Sequence, residues 1–147
     1  MTTSPRDSQA IANVIVVRRF MDEVINNGDD SAISELVHQE YRHRTPDGES
    51  RGRDGLKALL NAYRSGFPDF NVMIDDLVAS GNKVATSIRL NGTHSGDLFG
   101  IPATGKPLSV HGMVLSHLED GKIIEEWEIL DMFGVFHQLG VTSLPES

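Results

Sequence analysis

Residues 108–130, LSVHGMVLSHL-EDGK-IIEEWEIL, decide the fold class of this chain. Apolar and polar side chains alternate on both sides of the tetrapeptide Glu119-Asp120-Gly121-Lys122, as expected for strands with one buried face. An Asp-Gly pair between two alternating runs is a strong local signal for a β-hairpin. The stretch therefore predicts two antiparallel strands, over 108–118 and 123–130.

The chain before residue 68 has helical spacing of its apolar residues instead. This spacing predicts a helix from Ser8 to about Gly28, a shorter second helix from about Asp30, and a third helix that ends near Gly66. A polar stretch over 43–53, between the second and third helices, is predicted to be a loop.

Alternation returns beyond Pro68 and predicts strands over 70–74 and 84–91, with a bulge at Asp75-Asp76. The long Gly- and Pro-bearing connection over 92–107 suggests a lid, a pocket wall or a mobile segment. A short closing helix is predicted over 132–139. Helices followed by strands indicate an α+β fold. We expect three N-terminal helices packed on a strongly curved, mostly antiparallel sheet, an α+β cone or half-barrel that encloses one pocket.

Composition limits the classes of function. The 147 residues fit one domain over 1–147, with residues 1–7 expected to be frayed. A formal net charge of -8 disfavours nucleic acid and anionic membranes as partners, and no apolar run approaches the roughly 20 residues of a membrane span. The absence of cysteine excludes disulfides and thiolate chemistry, so a cytoplasmic location is the expectation. Histidines at scattered spacings predict no metal site, and no motif for a cofactor is present.

A series of short sequence motifs, in a fixed order along nearly the whole chain, resembles the pattern of a known family. The phrases are Tyr41-Arg42-His43, Gly52-Arg53-Asp54-Gly55-Leu56, Gly66-Phe67-Pro68-Asp69-Phe70, Asp76-Leu77-Val78-Ala79, Gly92-Thr93-His94-Ser95-Gly96, Phe99-Gly100-Ile101-Pro102-Ala103-Thr104-Gly105-Lys106, Asp120-Gly121-Lys122-Ile123, Trp127, Asp131 and Gln138-Leu139-Gly140. Together they resemble the SnoaL-like polyketide cyclase family, whose fold is the α+β cone of the nuclear-transport-factor-2-like superfamily.

The resemblance implies a particular set of catalytic positions. Cyclases of this family use a pocket Asp as acid and base, with a His and a Gln on the neighbouring strand. Alignment on Asp120-Gly121-Lys122-Ile123 places that Asp at Glu128, the His at Val114 and the Gln at Gly112. The carboxylate is therefore kept in a longer side chain, while the two partner groups are absent from these positions.

Four residues are candidates for acid–base catalysis. Asp131 matches an Asp of the family pattern and could be a pocket carboxylate or the N-cap of the closing helix. Glu128 could be the general base or part of a solvated acidic strand face. His43 could lie at the mouth of the pocket or on the surface between two arginines. His111 is a further candidate, although strand register predicts that its face points away from the pocket.

The predicted substrate-binding side chains are mostly aromatic or apolar. Their alternative role is in the core or, for His94, in holding the long connection over 92–107. They are Tyr41, Phe67, His94, Phe99, Val114 and Trp127.

The leading hypothesis is a cofactor-independent cyclase or isomerase that acts on a polyketide-like aromatic or β-dicarbonyl substrate in an apolar pocket. The alternatives are a related hydroxylase of an aromatic polyketide and a non-catalytic binding protein for a small apolar or aromatic ligand. The resemblance also implies a homodimer or higher homo-oligomer, because members of the family cover the outer face of the sheet in this way.

Overall fold

The computed structural model describes residues 4–141. Its helical segments are Pro5–Arg19 (α1), continued by a π-helical stretch over Phe20–Asn26, a 3-10 turn over Asp30–Ala32 that leads into Ile33–Leu36 (α2), Gly52–Gly66 (α3) and Met132–Leu139 (α4). Its strands are Val37–Thr45 (β1), Gly48–Arg51 (β2), Asn71–Ser80 (β3), Lys83–Thr93 (β4), Pro107–Glu119 (β5) and Lys122–Leu130 (β6).

The strands form one sheet in the order β2-β1-β6-β5-β4-β3. All neighbours are antiparallel except β1 and β6, which run parallel. Alternate side chains of the central strands are buried against the helices, most regularly along β5. The predicted α+β fold with a curved, mostly antiparallel sheet is therefore confirmed.

The hairpin that decides the fold has the predicted geometry. Strands β5 and β6 are joined at Asp120 and Gly121, whose φ angles are 53° and 75°. Positive φ at both central positions is the backbone of a turn whose twist matches that of the strands. The predicted bulge is confirmed as well, since the register of β3 on β4 shifts between Ile74 and Asp76.

The prediction of a loop over 43–53 was wrong, because β1 and β2 form a second hairpin there. The inward side chains near the end of β1 are Tyr41 and His43, and they hide the apolar alternation that marks the other strands. A turn signal was present in Thr45-Pro46-Asp47-Gly48, since Pro and Asp followed by Gly favour a tight turn. His43 therefore lies on a strand.

The first helix begins earlier than the sequence predicted. Pro5 is its first residue, and the Ser4 hydroxyl accepts a hydrogen bond from the Asp7 amide at 3.1 Å. Residues 5–7 are thus part of α1, while residues 1–3 lie outside the described part of the chain. No helix within residues 4–141 is long and apolar enough to cross a bilayer.

Candidate active site

A cavity of about 620 Å3 opens between α3, the β1–β2 hairpin and the end of β6. The residues that line it come from several segments: His43, Thr45, Pro46, Asp47, Gly48, Glu49, Ser50, Leu59, Tyr63, Phe99, Glu128, Leu130 and Met132. Its volume lies within the range that small-molecule sites occupy.

Two ionisable side chains meet where this cavity reaches the sheet. His43 Nε2 lies 3.4 Å from Glu128 Oε1. The parallel pairing of β1 with β6 places His43 opposite Glu126, so Glu128 is the next inward residue along β6. Their side chains are 8% and 17% exposed, so both are largely removed from solvent. Histidine and carboxylate are residue types that can serve in general acid–base catalysis.

The environment of His43 sets its charge. Burial opposes the charged imidazolium, but the adjacent Glu128 carboxylate and, more weakly, Glu126 favour it. The net result is that the pKa of His43 is raised above its ordinary value. Near neutral pH, His43 is thus more often protonated than a free histidine and can donate a proton.

A smaller void of about 50 Å3 lies deeper, behind the pair. His43, Glu128, Leu59 and Tyr63 line both spaces, so they separate the outer cavity from this inner void. Most of the remaining lining is apolar: Phe20, Met21, Ile25, Leu56, Leu60, Phe70, Val72, Ile88 and Leu90.

Two further ionisable groups line the inner void. The Tyr41 hydroxyl donates a hydrogen bond to Glu126 Oε1 at 2.6 Å. Burial raises the pKa of both Tyr41 and Glu126, because the ionised form of each would place a negative charge away from water.

Tyr63 of α3 is a site residue that the sequence analysis missed. Its ring stacks on Phe70 at 5.6 Å between centroids and meets the edge of Phe99 at 5.9 Å. Tyr63 lines both the outer cavity and the inner void, as Glu128 does. Burial and the nearby Glu128 charge raise the pKa of Tyr63, so the phenol stays protonated as a donor. Its spacing with Leu59 along the helix looked like that of a core residue.

Phe99 stands at the tip of the 92–107 connection and lines the outer cavity. Its φ of 49° is in the left-handed region, which costs energy for a residue with a β-carbon. The base of this connection is held by His94, which is fully buried. The His94 amide donates to the Lys106 carbonyl at 2.9 Å, and the Thr104 amide donates to His94 Nδ1 at 3.3 Å. The connection is therefore a tethered wall of the cavity.

The structure does not bring Asp131 or His111 into the site. Asp131 is exposed and caps α4, with its Oδ1 accepting from the Gly134 amide at 2.9 Å. His111 lies on the outer face of β5, 68% exposed at its side chain, with its Nδ1 3.8 Å from Asp75 Oδ2. Neither lines the cavities, so both assignments are corrected. The physical reasons are the capping requirement of α4 and the alternation of β5.

The predicted substrate-binding residues divide into three groups. Phe99 lines the outer cavity and Tyr41 lines the inner void. Phe67 and Val114 are buried in the core and line neither space, which corrects their assignment. Trp127 is also corrected, because strand alternation turns it to the outer face, where the Arg44 guanidinium lies 3.9 Å from its ring centroid.

His94 likewise lines neither space, so its assignment to substrate binding is corrected in favour of its role in the connection. Its ring packs against Phe67, with 5.4 Å between the centroids. Within residues 4–141, no group of three His, Asp or Glu side chains converges in a way that could hold a metal ion.

A curved sheet with a His–Glu contact at the base of a mostly apolar cavity defines an α+β cone protein. The sequence model of the SnoaL-like polyketide cyclase family matches residues 15–139, and the chain belongs to that family. It is 30% identical over 129 residues to the aklanonic acid methyl ester cyclase DnrD of Streptomyces peucetius, covering 85% of this chain and 88% of that one.

Solved structures share the fold. TsrD from Streptomyces laurentii superimposes with a TM-score of 0.80 at 30% identity, over 89% of this chain and 96% of that one. A SnoaL-like protein from Jannaschia sp. CCS1 gives a TM-score of 0.86 at 24% identity, over 98% and 99% of the two chains. The second match supports the fold alone.

The family's catalytic positions are adjacent in space but carry different side chains here. Val114 is the cross-strand partner of Glu128, and Gly112 is the partner of Leu130. A β-carbon at Gly112 would lie 2.5 Å from Leu130 Cδ2, so Leu130 occupies the space of any side chain there. The imidazole instead reaches the carboxylate from β1, on the other side of β6. The acid–base pair is thus built from different strands.

Proposed function

We propose that this protein is a polyketide cyclase that closes a ring by intramolecular aldol chemistry without a cofactor. The observation that carries the proposal is the His43–Glu128 contact of 3.4 Å at the base of an outer cavity of about 620 Å3. Kinship with a protein named as an aklanonic acid methyl ester cyclase supports the same class of reaction.

In the first step of the proposed reaction, Glu128 is the base. Its carboxylate removes a proton from a carbon beside a carbonyl group, and the electron pair of that C–H bond forms the enolate. Tyr63 lines the same cavity, and in this step its hydroxyl donates a hydrogen bond to the enolate oxygen. A donor fixed by Phe70 and Phe99 needs little reorganisation as the negative charge develops.

In the second step of the proposed reaction, His43 is the acid. The enolate carbon attacks a second carbonyl of the same molecule, a C–C bond forms, and the resulting alkoxide takes a proton from the His43 imidazolium. Glu128 then returns the proton it removed to His43 across their contact. The cycle has no net gain or loss of protons or electrons, so a self-contained acid–base pair is sufficient for it.

The charges around the cavity favour a neutral substrate. Glu128, Asp47 and Glu49 line it, and within residues 4–141 no Lys or Arg side chain does. A substrate carboxylate would meet like charges without a permanent cation to balance it. We therefore propose that the substrate is an ester or another neutral form of an aromatic or β-dicarbonyl polyketide.

Mass spectrometry of purified protein with a panel of aromatic polyketide methyl esters, in air and without added cofactor, tests this proposal. We expect a product of unchanged mass with a shifted retention time. A product heavier by one oxygen would contradict it in favour of the hydroxylase alternative. Binding of the esters without any new product would favour a non-catalytic binding protein.

We also propose that a second copy covers the outer face of the sheet, and that the protein works in the cytoplasm. Four exposed apolar side chains adjoin there through the register of β5 with β6: Met113 opposite Ile129, and Leu115 opposite Trp127. Contiguous apolar patches of this kind mark interaction sites. Sedimentation velocity of wild type and I129E tests the assembly. We expect a dimer or larger oligomer that dissociates in the variant, and a monomeric wild type would contradict it.

A further inference from the structure

Glu126 is a buried acid with no part in the steps assigned above. It is 4% exposed, and its partner Tyr41 is 1% exposed. Among the described residues, the Tyr41 hydroxyl is its hydrogen-bond partner, at 2.6 Å. Burying an ionisable carboxyl is costly unless a partner or a charge compensates it. A residue that served packing alone would be apolar at this position.

The position of Glu126 relates it directly to His43. The two residues are partners across the parallel β1–β6 pair, and both line the inner void together with Glu128. Glu126 does not line the outer cavity where the substrate is placed. It lies behind the acid–base pair, at a place from which it acts on His43 and not on the substrate.

Among the described residues that line the inner void with Glu126, His43 is the one that can carry a positive charge. Within residues 4–141, the titratable side chains that line the inner void are Tyr41, His43, Tyr63, Glu126 and Glu128. From β5, the cross-strand partner of Glu126 is Ser116, a buried neutral hydroxyl. The helices contribute apolar side chains to the void apart from Tyr63. Two carboxyl groups therefore share one imidazole in a space without Lys or Arg.

We propose that Glu126, held by the Tyr41 hydroxyl, is a positioning residue that fixes the charge on His43 and thereby the protonation state of the His43–Glu128 pair. The catalytic meaning of this inference rests on the proposed function, in which His43 is the proton donor. The electrostatic part does not, because it concerns the folded protein without substrate.

The direction of each coupling is determined by charge. An ionised Glu126 raises the pKa of His43, and a protonated His43 in turn favours the ionised form of Glu126. Burial is the largest influence on Glu126 and leaves its pKa raised, while His43 and the Tyr41 hydrogen bond act in the opposite direction and favour the ionised form. The three groups thus titrate as a coupled set.

Titration of labelled histidine side chains by NMR tests the inference without any substrate. The proteins compared are wild type, E126Q, Y41F and E125Q, with H43N used to assign the His43 signal. E126Q keeps the side-chain shape and an acceptor for Tyr41 but removes the charge, so we expect the His43 midpoint to move to lower pH. Y41F removes the donor that favours ionised Glu126, so a smaller shift in the same direction is expected.

E125Q is the matched control. It removes the same charge one residue earlier, on the outer face, where Glu125 contacts Arg42 at 2.6 Å. We expect it to leave the His43 midpoint at the wild-type value. Unchanged midpoints in both E126Q and Y41F, or an equal shift in E125Q, would overturn the proposal. If one variant fails to fold, the other still decides.

The kinetic counterpart is a shift of the pH profile. Loss of activity with rising pH follows deprotonation of His43, so E126Q should move that alkaline limb to lower pH while KM stays near wild type. A purely structural role would lower activity evenly without moving the limb. If no cyclase activity is found in any variant, the proposed function fails, whereas the NMR result still decides the role of Glu126.

Discussion

Strand β6 uses its acidic residues in two different ways on its two faces. On the outer face, Glu125 contacts Arg42 at 2.6 Å and Arg44 at 3.5 Å, so two guanidinium groups balance its charge. On the inner face, Glu126 and Glu128 lie among apolar side chains, with His43 as their nearest potential cation. The same residue type therefore has different roles on the two faces, because its charged neighbours differ. A single step along the strand changes those neighbours.

The largest effect should come from removing the inner carboxylate. E128Q keeps the shape of the side chain and removes the base, so kcat for ring closure should fall by about 10²–10⁴. Steady-state kinetics by chromatography of the product measure this loss. E125Q, with the same change on the outer face, should retain wild-type kcat, and equal losses in the two variants would contradict the comparison.

Tyr63 should have the next largest effect, since its phenol is the proposed donor to the enolate oxygen. Y63F keeps the ring on Phe70 and removes the hydroxyl. We expect a loss on the order of 10² in kcat with little change in KM, as for removal of one oxyanion donor. Circular dichroism should show an unchanged fold. A wild-type kcat in this variant would remove Tyr63 from the mechanism.

Asp131 is a third acidic residue to compare with Glu125 and Glu128. It directly follows β6, and its carboxylate caps a helix. D131A removes the cap of α4 and should lower the free energy of unfolding by about 1 kcal/mol, while D131N keeps a capping oxygen and should cost less. Urea unfolding measures both. Because Asp131 does not line the cavities, kcat should stay near wild type. A large loss of kcat in D131N would restore it as a catalytic candidate.

The smallest effect should be the pH dependence of stability that His43 contributes, because burial offsets much of the carboxylate attraction. Its pKa is raised in the folded protein, so the folded state binds the proton more tightly than the unfolded chain. The contribution is complete below the unfolded pKa of about 6.5 and is lost as pH rises through the folded value. Unfolding of wild type and H43Q across pH should differ most in acid. A difference that grows with rising pH would contradict this assignment.

Much of the fold could be predicted from the sequence, because residues that are buried at regular intervals give a periodic pattern of apolar side chains. Strand β5 alternates strictly, β6 alternates from Glu126 onward, and an Asp-Gly turn joins the two strands. The same alternation places Glu128 and Trp127 on opposite faces of β6. Strand β1 escaped prediction because its inward positions include Tyr41 and His43, which give no apolar signal.

The site was harder to predict because its geometry depends on contacts between distant segments. His43 meets Glu128 only because β1 pairs in parallel with β6, a long-range pairing that local patterns do not encode. Tyr63 has the helical spacing of a core residue, and nothing in the sequence indicates that it lines a cavity. Asp131 was ambiguous because a capping carboxylate and a catalytic one have the same local sequence.

The role of Glu128 as the base is tested most directly by measuring hydrogen exchange at the acidic carbon of a substrate analogue. The substrate is an aromatic β-keto ester that has an acidic C–H but lacks the second carbonyl, so that it cannot cyclise. Proton NMR in D2O follows the loss of the C–H signal with wild type, E128Q and E125Q. We expect catalysed exchange of the C–H proton for deuterium with wild type and E125Q, and with E128Q an exchange rate near that in buffer alone. Wild-type exchange in E128Q, or none in any of the proteins, would contradict Glu128 as the base.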